Sequence, residues 1–216
     1  MTKSEEDYIK FLYQPSPGER DVIKLSTIAK AFGYTEQSVN EMMKRLSEKK
    51  LIEYIPYKGV YLTPIGHELA LKMIRAHRIW EVFLYEKLGY DWDEVHAISE
   101  ILEHTNREDV VDRLYNYLNQ PERCPHGNRI SPKGTVPQPD QDTPLHITTQ
   151  GTTFEVHRVD DSPELLNFLS SLNVKLGSTL SIESIDSFNE IIYISIHNKT
   201  YPVAFKNASR IFGLIR

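Results

Sequence analysis

Residues 25–46, LSTIAKAFGYTEQSVNEMMKRL, decide the fold of the first part of the chain. The first eight of them predict a short helix, and Gly33 follows where a left-handed C-terminal cap is expected. Thr35 is placed to cap a second helix. The apolar residues of this second helix fall at i, i+3, i+4 and i+7 and are Val39, Met42, Met43 and Leu46. Two short helices joined by a glycine-containing turn predict a helix-turn-helix.

The segments on either side extend this motif to a winged helix. Residues 51–62, LIEYIPYKGVYL, predict a two-stranded hairpin with its turn at Lys58-Gly59. Upstream, residues 4–14 carry apolar side chains at helical spacing, and a PSPG break at 15–18 ends that helix. The order helix, helix-turn-helix, hairpin is that of a winged helix, so we predict a DNA-binding domain over residues 1–63.

A helical domain is expected next, over residues 64–126. Residues 64–88 lack internal helix breakers and are apolar on much of their circumference, which predicts one long helix buried against another subunit or domain. We therefore expect a homodimer. Two further helices are predicted over 91–105 and 107–119.

The end of the chain predicts a small β domain. Residues 127–150 have the Pro, Gly, Gln and Asp content of a linker. Over residues 151–216 the apolar period changes to two, with strands in TTFEVHRV, TLSIESI, EIIYISI and TYPVAFK. A helix in SPELLNFLSSL, capped at Ser162, interrupts them. The fold class predicted is mainly α, with a barrel-like β domain at the C-terminal end.

Composition and charge narrow the function. The 216 residues have the apolar and charged fractions of a globular protein, without a membrane-spanning run or an apolar signal-peptide centre. A single cysteine cannot form an intramolecular disulfide, and we expect a cytoplasmic protein with no membrane partner. The net charge of −5 is concentrated in residues 76–140, which also hold four of the eight histidines. Carboxylates and imidazoles gathered in one segment are typical of a metal site.

Ligand-type side chains recur at helical spacing in this acidic segment. On the predicted helix 91–105, four of them stand at i, i+4, i+7 and i+8, within one arc of about 100°; they are His96, Glu100, Glu103 and His104. His77 and Glu81 are i, i+4 neighbours on the preceding helix. Further donors lie elsewhere in the chain, at Asp7, Cys124, His126, Asp160 and Asp161. The alternative for this set is a solvated acidic face, a core histidine and a packed cysteine.

Enzymatic motifs do not fit the spacing. In residues 100–104, EILEH, a Glu stands where zinc-protease motifs need their first His, and a di-iron site would need His at position 103. The chain also lacks a G-x-S-x-G motif, a phosphate-binding loop and a dinucleotide fingerprint, so we do not expect an enzyme. Two alternatives stay open: a metal-dependent hydrolase with an accessory winged helix, and a winged-helix regulator sensing an organic ligand. The second predicts an apolar cavity lined by Trp80, Phe83 and Trp92.

Several segments resemble the diphtheria toxin repressor family of metal-dependent regulators, especially the manganese-responsive regulators of Gram-positive cocci. They are EDYIKFLY, KGVYLTPIGHELA, AHRIWEVFLYEKLGYDWDEVHAISEILEH and CPHGNRI. The resemblance implies a winged-helix DNA-binding domain, a helical dimerisation and metal domain, and a C-terminal SH3-like, FeoA-like domain. It also implies a homodimer that represses metal-uptake genes when Mn²⁺ or Fe²⁺ locks it in an operator-binding geometry.

The resemblance further implies two metal sites and a DNA-reading helix. Asp7, Glu100, Glu103 and His104 match one site, with His77 as its fifth ligand. Glu81, Cys124, His126 and Asp161 match the other, with His96 beside them. Lys10 stands where one manganese-specific branch has a second acidic ligand. The candidate ions are Mn²⁺ and Fe²⁺, although Zn²⁺ binds more tightly than Mn²⁺ at most such sites in vitro.

The double-stranded operator is expected to meet the outward face of the second short helix. The candidate DNA-contacting residues are Thr35, Gln37, Ser38, Asn40, Glu41 and Lys44, together with Lys58 in the hairpin. Polar side chains on this face could reach base edges, and the lysines could reach phosphates. A polar, solvated helix face is the alternative.

Overall fold

A computed structural model of the chain describes residues 1–13, 22–105, 107–135, 138 and 140–216. The chain divides into two compact units. The first consists of Met1–His77, Glu103–Asn106 and Ser131–Val136; the second consists of Arg78–Leu102, Arg107–Ile130 and Pro137–Arg216. The PSPG break predicted at 15–18 lies outside the described residues. Within the described ranges, no helix combines the length and apolarity needed to cross a membrane.

The first unit holds the helices and hairpin predicted for the DNA-binding domain. They are α1 (Lys3–Leu12), α2 (Leu25–Phe32), α3 (Glu36–Glu48), β1 (Ile52–Ile55), β2 (Gly59–Leu62) and the first part of α4 (Pro64–Leu88). The predicted caps are confirmed: Gly33 adopts φ +68°, and the Thr35 hydroxyl accepts a hydrogen bond from the Ser38 backbone N–H at 3.2 Å. Thr2 and Glu5 form a capping box at the start of α1.

The hairpin β1–β2 carries an additional contact that the sequence pattern did not predict. The two strands pair antiparallel with Ile52 opposite Leu62, and Ile23 bridges Val60 from the outside. Gly59 permits this third segment to approach, since a Cβ at that position would lie 2.1 Å from the Ile23 carbonyl oxygen. The unit has one core, formed by Tyr8, Ile9, Leu12, Ile28, Ala29, Val39, Met43, Leu46, Leu51, Ile52, Val60, Leu62 and Ala70.

The helix predicted over 91–105 needs correction. The α-helix α5 covers only Val95–Leu102, and Glu103–Thr105 form a separate 3-10 turn. Because a 3-10 turn has about 3.0 residues per turn, it breaks the angular spacing assumed for an α-helix. The four predicted ligands therefore do not share one helical arc: His96 and Glu100 belong to the second unit, and Glu103 and His104 to the first. The next helix, α6 (Glu108–Tyr117), is confirmed.

The C-terminal β domain lies within the second unit. Its elements are β3 (Thr143–Pro144), β4 (Thr153–Val159), α7 (Pro163–Ser171), β5 (Thr179–Asp186), β6 (Ile191–Ile196), β7 (Lys199–Ala204), α8 (Phe205–Ala208) and β8 (Ile211–Ile215). The strands form one antiparallel sheet in the order β3-β8-β4-β5-β6-β7. The four predicted strands and α7 are confirmed, whereas β3 and β8 were not predicted. No pairing among the described strands joins β3 to β7, so closure into a barrel stays a prediction.

Two features that pack with this sheet were not predicted from the sequence. The segment expected to be a linker, 127–150, contains β3 and the fully buried Leu145, so its last part packs with the sheet. Trp92 is buried in the same core, and its indole N–H donates a hydrogen bond to Ser170 Oγ at 2.8 Å. Trp92 therefore packs within the core of the C-terminal β domain.

Candidate metal centres and DNA-binding helix

The first unit brings together a set of ligand-type side chains that we call the Glu103 cluster: Asp7, His77, Glu103 and His104. Asp7 lies on α1, His77 on α4, and the other two on the 3-10 turn. The candidate ligand atoms of Asp7, Glu103 and His104 all lie within 4.8 Å of one another. The Nε2 atom of His104 is 2.9 Å from Asp7 Oδ1 and 3.8 Å from Glu103 Oε1. Three segments distant in sequence thus converge on one point.

The orientation of His104 fits metal binding. Its Nδ1 atom donates a hydrogen bond to Glu6 Oε2 at 2.7 Å, and Glu6 is buried. Its Nε2 atom is also buried and makes no hydrogen bond within the described part of the chain. A metal-binding imidazole commonly has one nitrogen fixed by a carboxylate and the other directed at the ion. Sequence reasoning missed Glu6, because its position beside Asp7 has no spacing that links it to His104.

Glu103 is the most constrained member of this cluster. Its side chain is fully buried, and its Oε2 atom lies 2.6 Å from His77 Nδ1. Lys10 Nζ lies 3.0 Å from Oε1 and 2.7 Å from Oε2 of the same carboxylate. A carboxylate without solvent contact needs such charged or polar partners. Glu100 lies in the other unit, so its predicted place in this site stays a prediction.

A second set of ligand-type side chains, the Glu81 cluster, lies in the second unit. Its members are Glu81, His96, Cys124, His126 and Asp161. His126 Nδ1 lies 3.1 Å from Glu81 Oε1 and 4.0 Å from Cys124 Sγ. His96 Nδ1 lies 3.8 Å from Glu81 Oε1 and 3.8 Å from Asp161 Oδ2. The fully buried Glu81 carboxylate contacts both histidines and so joins the members of the cluster.

The loop 124–128 explains why Cys124 and His126 face the same point although only one proline separates them. The Cys124 N–H donates to the Asn128 carbonyl at 2.9 Å, and the Gly127 N–H donates to the Cys124 carbonyl at 2.9 Å. Gly127 adopts φ +84°, and a Cβ there would lie 2.2 Å from the His157 carbonyl oxygen. The turn therefore depends on glycine for its conformation and for its close contact with β4.

The same loop is fastened to the end of β4. The Val159 N–H donates to the His126 carbonyl at 2.9 Å. The chain then continues directly to Asp160 and Asp161, which places Asp161 beside His96. Asp160 instead accepts a hydrogen bond from Arg210 Nε at 2.9 Å. Of the two adjacent aspartates, Asp161 is the one in the cluster.

Hydrogen bonding and burial set the protonation of this cluster. The His126 Nε2–H donates to the Trp92 carbonyl at 2.6 Å, which leaves Nδ1 directed at Glu81 and Cys124. Burial raises the pKa of the Cys124 thiol, and the nearby Glu81 charge raises it further. Burial alone would lower the pKa of His126, but its hydrogen bonds with Cys124 and Glu81 and the Glu81 charge outweigh burial and raise it. Both shifts favour the protonated forms, so a metal ion that uses either side chain as a ligand has to displace a proton.

The residues predicted to contact DNA lie on α3, at its N-cap and in the turn of the hairpin. Thr35, Gln37, Ser38, Glu41 and Lys44 are exposed, and Asn40 is half-buried. Lys58, in the turn of the hairpin, is exposed as well. The opposite face of α3 carries Val39, Met43 and Leu46 into the core of the first unit. The helix is therefore held by its apolar face, and its polar face is left available.

Comparison with known proteins decides the family. The model of the iron dependent repressor N-terminal DNA binding domain matches residues 1–60, and that of the iron dependent repressor metal binding and dimerisation domain matches residues 63–132. The FeoA domain model matches residues 143–213. The chain belongs to the diphtheria toxin repressor family. It is accordingly a metal-dependent transcriptional repressor with a DNA-binding and a dimerisation domain, and not an enzyme.

Individual members of the repressor family are similar over nearly the whole chain. The iron-dependent repressor IdeR of Mycobacterium leprae is 26% identical over 229 residues, covering 98% of this chain and 97% of that protein. The structure of the manganese regulator SloR superposes with a TM-score of 0.85 at 34% identity and covers all of both chains. The structure of ScaR with bound Zn²⁺ has a TM-score of 0.85 at 30% identity, over 97% of this chain and 98% of that one. The predicted dependence on metal and the family resemblance are confirmed.

Proposed function

We propose that this repressor binds its operator as a homodimer when Mn²⁺ or Fe²⁺ occupies the Glu103 cluster, and that it controls genes for metal-ion uptake. The observation that carries the proposal is the convergence of Asp7, Glu103 and His104, whose ligand atoms lie within 4.8 Å of one another. Since they come from α1 and from the 103–105 turn, a shared ion would tie those two segments together. Similar solved structures include manganese-dependent repressors, and the IdeR relatives are iron-dependent repressors, which supports these two ions.

Packing within the first unit provides a route from the Glu103 cluster to the DNA-reading helix. Asp7 lies on α1, and its neighbours Tyr8 and Ile9 are buried in the core that also receives Val39 and Met43 of α3. Because packed interiors transmit small displacements, fixing α1 restricts the positions available to α3. When bound, the ion supplies positive charge that holds the carboxylates and imidazole together. The chain contributes the coupling between α1 and α3.

The proposed ligand sets keep the assignments made from the sequence. One ion would be bound by Asp7, His77, Glu100, Glu103 and His104, with Glu6 orienting His104. Glu81, His96, Cys124, His126 and Asp161 would serve the other. In this second set the carboxylates are the hard oxygen donors that Mn²⁺ accepts, whereas the thiolate favours Zn²⁺. Discrimination between ions would then depend on the donor set of each cluster and on the supply of metal in the cell.

Operator reading is assigned to α3 and the hairpin. A dimer would place its two copies of α3 about one DNA turn apart, in successive major grooves. Gln37, Ser38 and Asn40 would meet base edges, with Glu41 and the capping Thr35 beside them. Lys44 and Lys58 would contact phosphates, which adds affinity without sequence information.

The organisation proposed is a DNA-binding domain over 1–63, a dimerisation and metal domain over 64–126, and a SH3-like β domain that begins near Thr143, earlier than the predicted residue 151. The packing of β3 and Leu145 with the sheet supports that earlier start. Closure of this sheet into a barrel and a cytoplasmic location, where a repressor meets its operator, remain parts of the proposal.

The proposal is tested by selecting genomic DNA fragments on the purified repressor with Mn²⁺, Fe²⁺, Zn²⁺ or a chelator. We expect Mn²⁺ or Fe²⁺ to enrich fragments upstream of metal-transport genes, and the chelator to abolish enrichment. On a selected operator, Gln37→Ala should relax the base preference. Lys44→Ala should weaken binding to all sequences alike and reduce the slope of log affinity against log salt concentration by about 1. Enrichment that is independent of metal, or a base preference unaffected by Gln37→Ala, would contradict the proposal.

A further inference from the structure

Lys10 places a positive charge on the carboxylate that anchors the Glu103 cluster. Its Nζ atom lies within hydrogen-bonding distance of both Glu103 oxygens, at 3.0 and 2.7 Å, and 3.2 Å from His77 Nδ1. The Glu103 side chain has no exposed surface, whereas the Lys10 side chain is 21% exposed. The ammonium group therefore binds the same two oxygens through which Glu103 would hold a metal ion.

Elementary electrostatics makes these two cations competitors. A buried carboxylate requires a compensating charge, and Lys10 provides one at short range. An ammonium group at this distance repels an incoming divalent cation and occupies lone pairs that the ion would need. The long lysine stem is flexible and has a route to solvent, so the ammonium group can leave without unfolding α1.

We propose that Lys10 is a built-in competitor of the metal ion, which holds Glu103 at low metal concentration and must be displaced before the ion binds. As a consequence of this competition, a higher metal concentration is needed to activate the repressor. The inference rests on the proposed function, because it assumes that the Glu103 cluster binds the activating metal. Lys10 is a positioning residue here, since it acts through Glu103 and contacts neither the metal ion nor the DNA.

The chain offers a matched control in Lys49. Its Nζ atom lies 2.6 and 2.8 Å from the two oxygens of Glu5, a buried carboxylate on the same helix as Asp7. Glu5 belongs to none of the ligand groups found among the described residues. Lys10 and Lys49 thus each form an ion pair with a buried carboxylate. Only the Lys10 pair involves a candidate metal ligand, Glu103.

The test measures Mn²⁺ binding to the full-length chain by following the electron paramagnetic resonance signal of free Mn²⁺. A Glu81→Gln background disables the other cluster, so that one site is titrated. Lys10→Met and Lys10→Gln should each tighten Mn²⁺ binding about 10- to 100-fold, the size expected for losing one charge-assisted hydrogen-bonded pair. Both should also show a larger rise in melting temperature on addition of Mn²⁺ than the parent. Lys49→Met should leave Mn²⁺ affinity within about twofold while lowering the melting temperature.

Unchanged or weaker Mn²⁺ binding in both Lys10 variants would overturn the inference. Failure of both variants to fold even with Mn²⁺ would overturn it as well, because Lys10 would then be a fixed structural cation. Folding that requires Mn²⁺ in these variants alone would support it. Glu103→Ala separates the two claims. If Mn²⁺ binding survives that change, the proposed site itself is wrong. If Glu103→Ala abolishes Mn²⁺ binding but the Lys10 variants bind Mn²⁺ with unchanged affinity, only the competitor role is wrong.

Discussion

Substituting Gly127 should damage the Glu81 cluster through the backbone, without touching a ligand. Alanine at this position must accept φ +84°, and its Cβ would lie 2.2 Å from the His157 carbonyl oxygen. The backbone strain costs about 1–2 kcal/mol, and forcing the loop away from β4 adds about 1–3 kcal/mol. Because the His126 carbonyl accepts the Val159 N–H, that movement also displaces His126.

Gly151 supplies the matched control. It adopts φ +83° in the same unit, but a Cβ there would meet nothing within 4 Å. Gly151→Ala therefore carries the backbone strain alone. With chelator present, Gly127→Ala should melt about 2–12 °C below Gly151→Ala, since 1 kcal/mol shifts the melting temperature of a chain this size by about 2–4 °C. Zn²⁺ affinity, measured by chelator competition, should fall at least about tenfold in Gly127→Ala only. Equal melting temperatures and equal Zn²⁺ affinities in the two variants would refute the reasoning.

Two further predictions concern the chemistry of the Glu81 cluster. Cys124→Ser keeps the size of the side chain but removes the soft donor, so calorimetry should show Zn²⁺ binding weakened much more than Mn²⁺ binding; equal losses would show that Cys124 is not a ligand. Because the pKa values of Cys124 and His126 are both raised, each must lose a proton when it becomes a ligand, and Zn²⁺ affinity should increase with pH by up to about 100-fold per pH unit near neutrality. An affinity independent of pH between 6 and 8 would argue against this protonation state.

The sequence was most informative where periodicity and local chemistry act together. The apolar spacing of α3, its Thr35 cap and the Gly33 stop each act over one or two turns, so they could be recognised without any tertiary contact. The strand β8 was missed because IFGLI is a short apolar run, which a strand and a buried helix segment share. The end of α5 at Leu102 was missed because EILEH continues the helical pattern into what is a 3-10 turn.

The metal clusters were predicted in composition more fully than in geometry. Residue types and the family resemblance suggested the donors, but only the fold shows that Glu6 orients His104 and that the Trp92 carbonyl orients the His126 ring. Neither partner has a sequence spacing related to the histidine it binds, since the contacts are 98 and 34 residues apart. The contact between Lys10 and Glu103 likewise joins two residues that no sequence spacing relates. Such contacts depend on tertiary packing, which local patterns do not encode.

The most direct test of the account compares operator affinity with and without Mn²⁺ for the wild type, Glu103→Ala and Glu68→Ala. Glu68 is an exposed carboxylate of α4 in the same unit and serves as the control. Mn²⁺ should tighten operator binding of the wild type and Glu68→Ala by about 10- to 100-fold, the usual range of such coupling. Glu103→Ala should remain a folded dimer, but with Mn²⁺ present it should bind the operator no more tightly than the wild type does with chelator. Undiminished activation by Mn²⁺ in Glu103→Ala would contradict the claim that this cluster switches DNA binding.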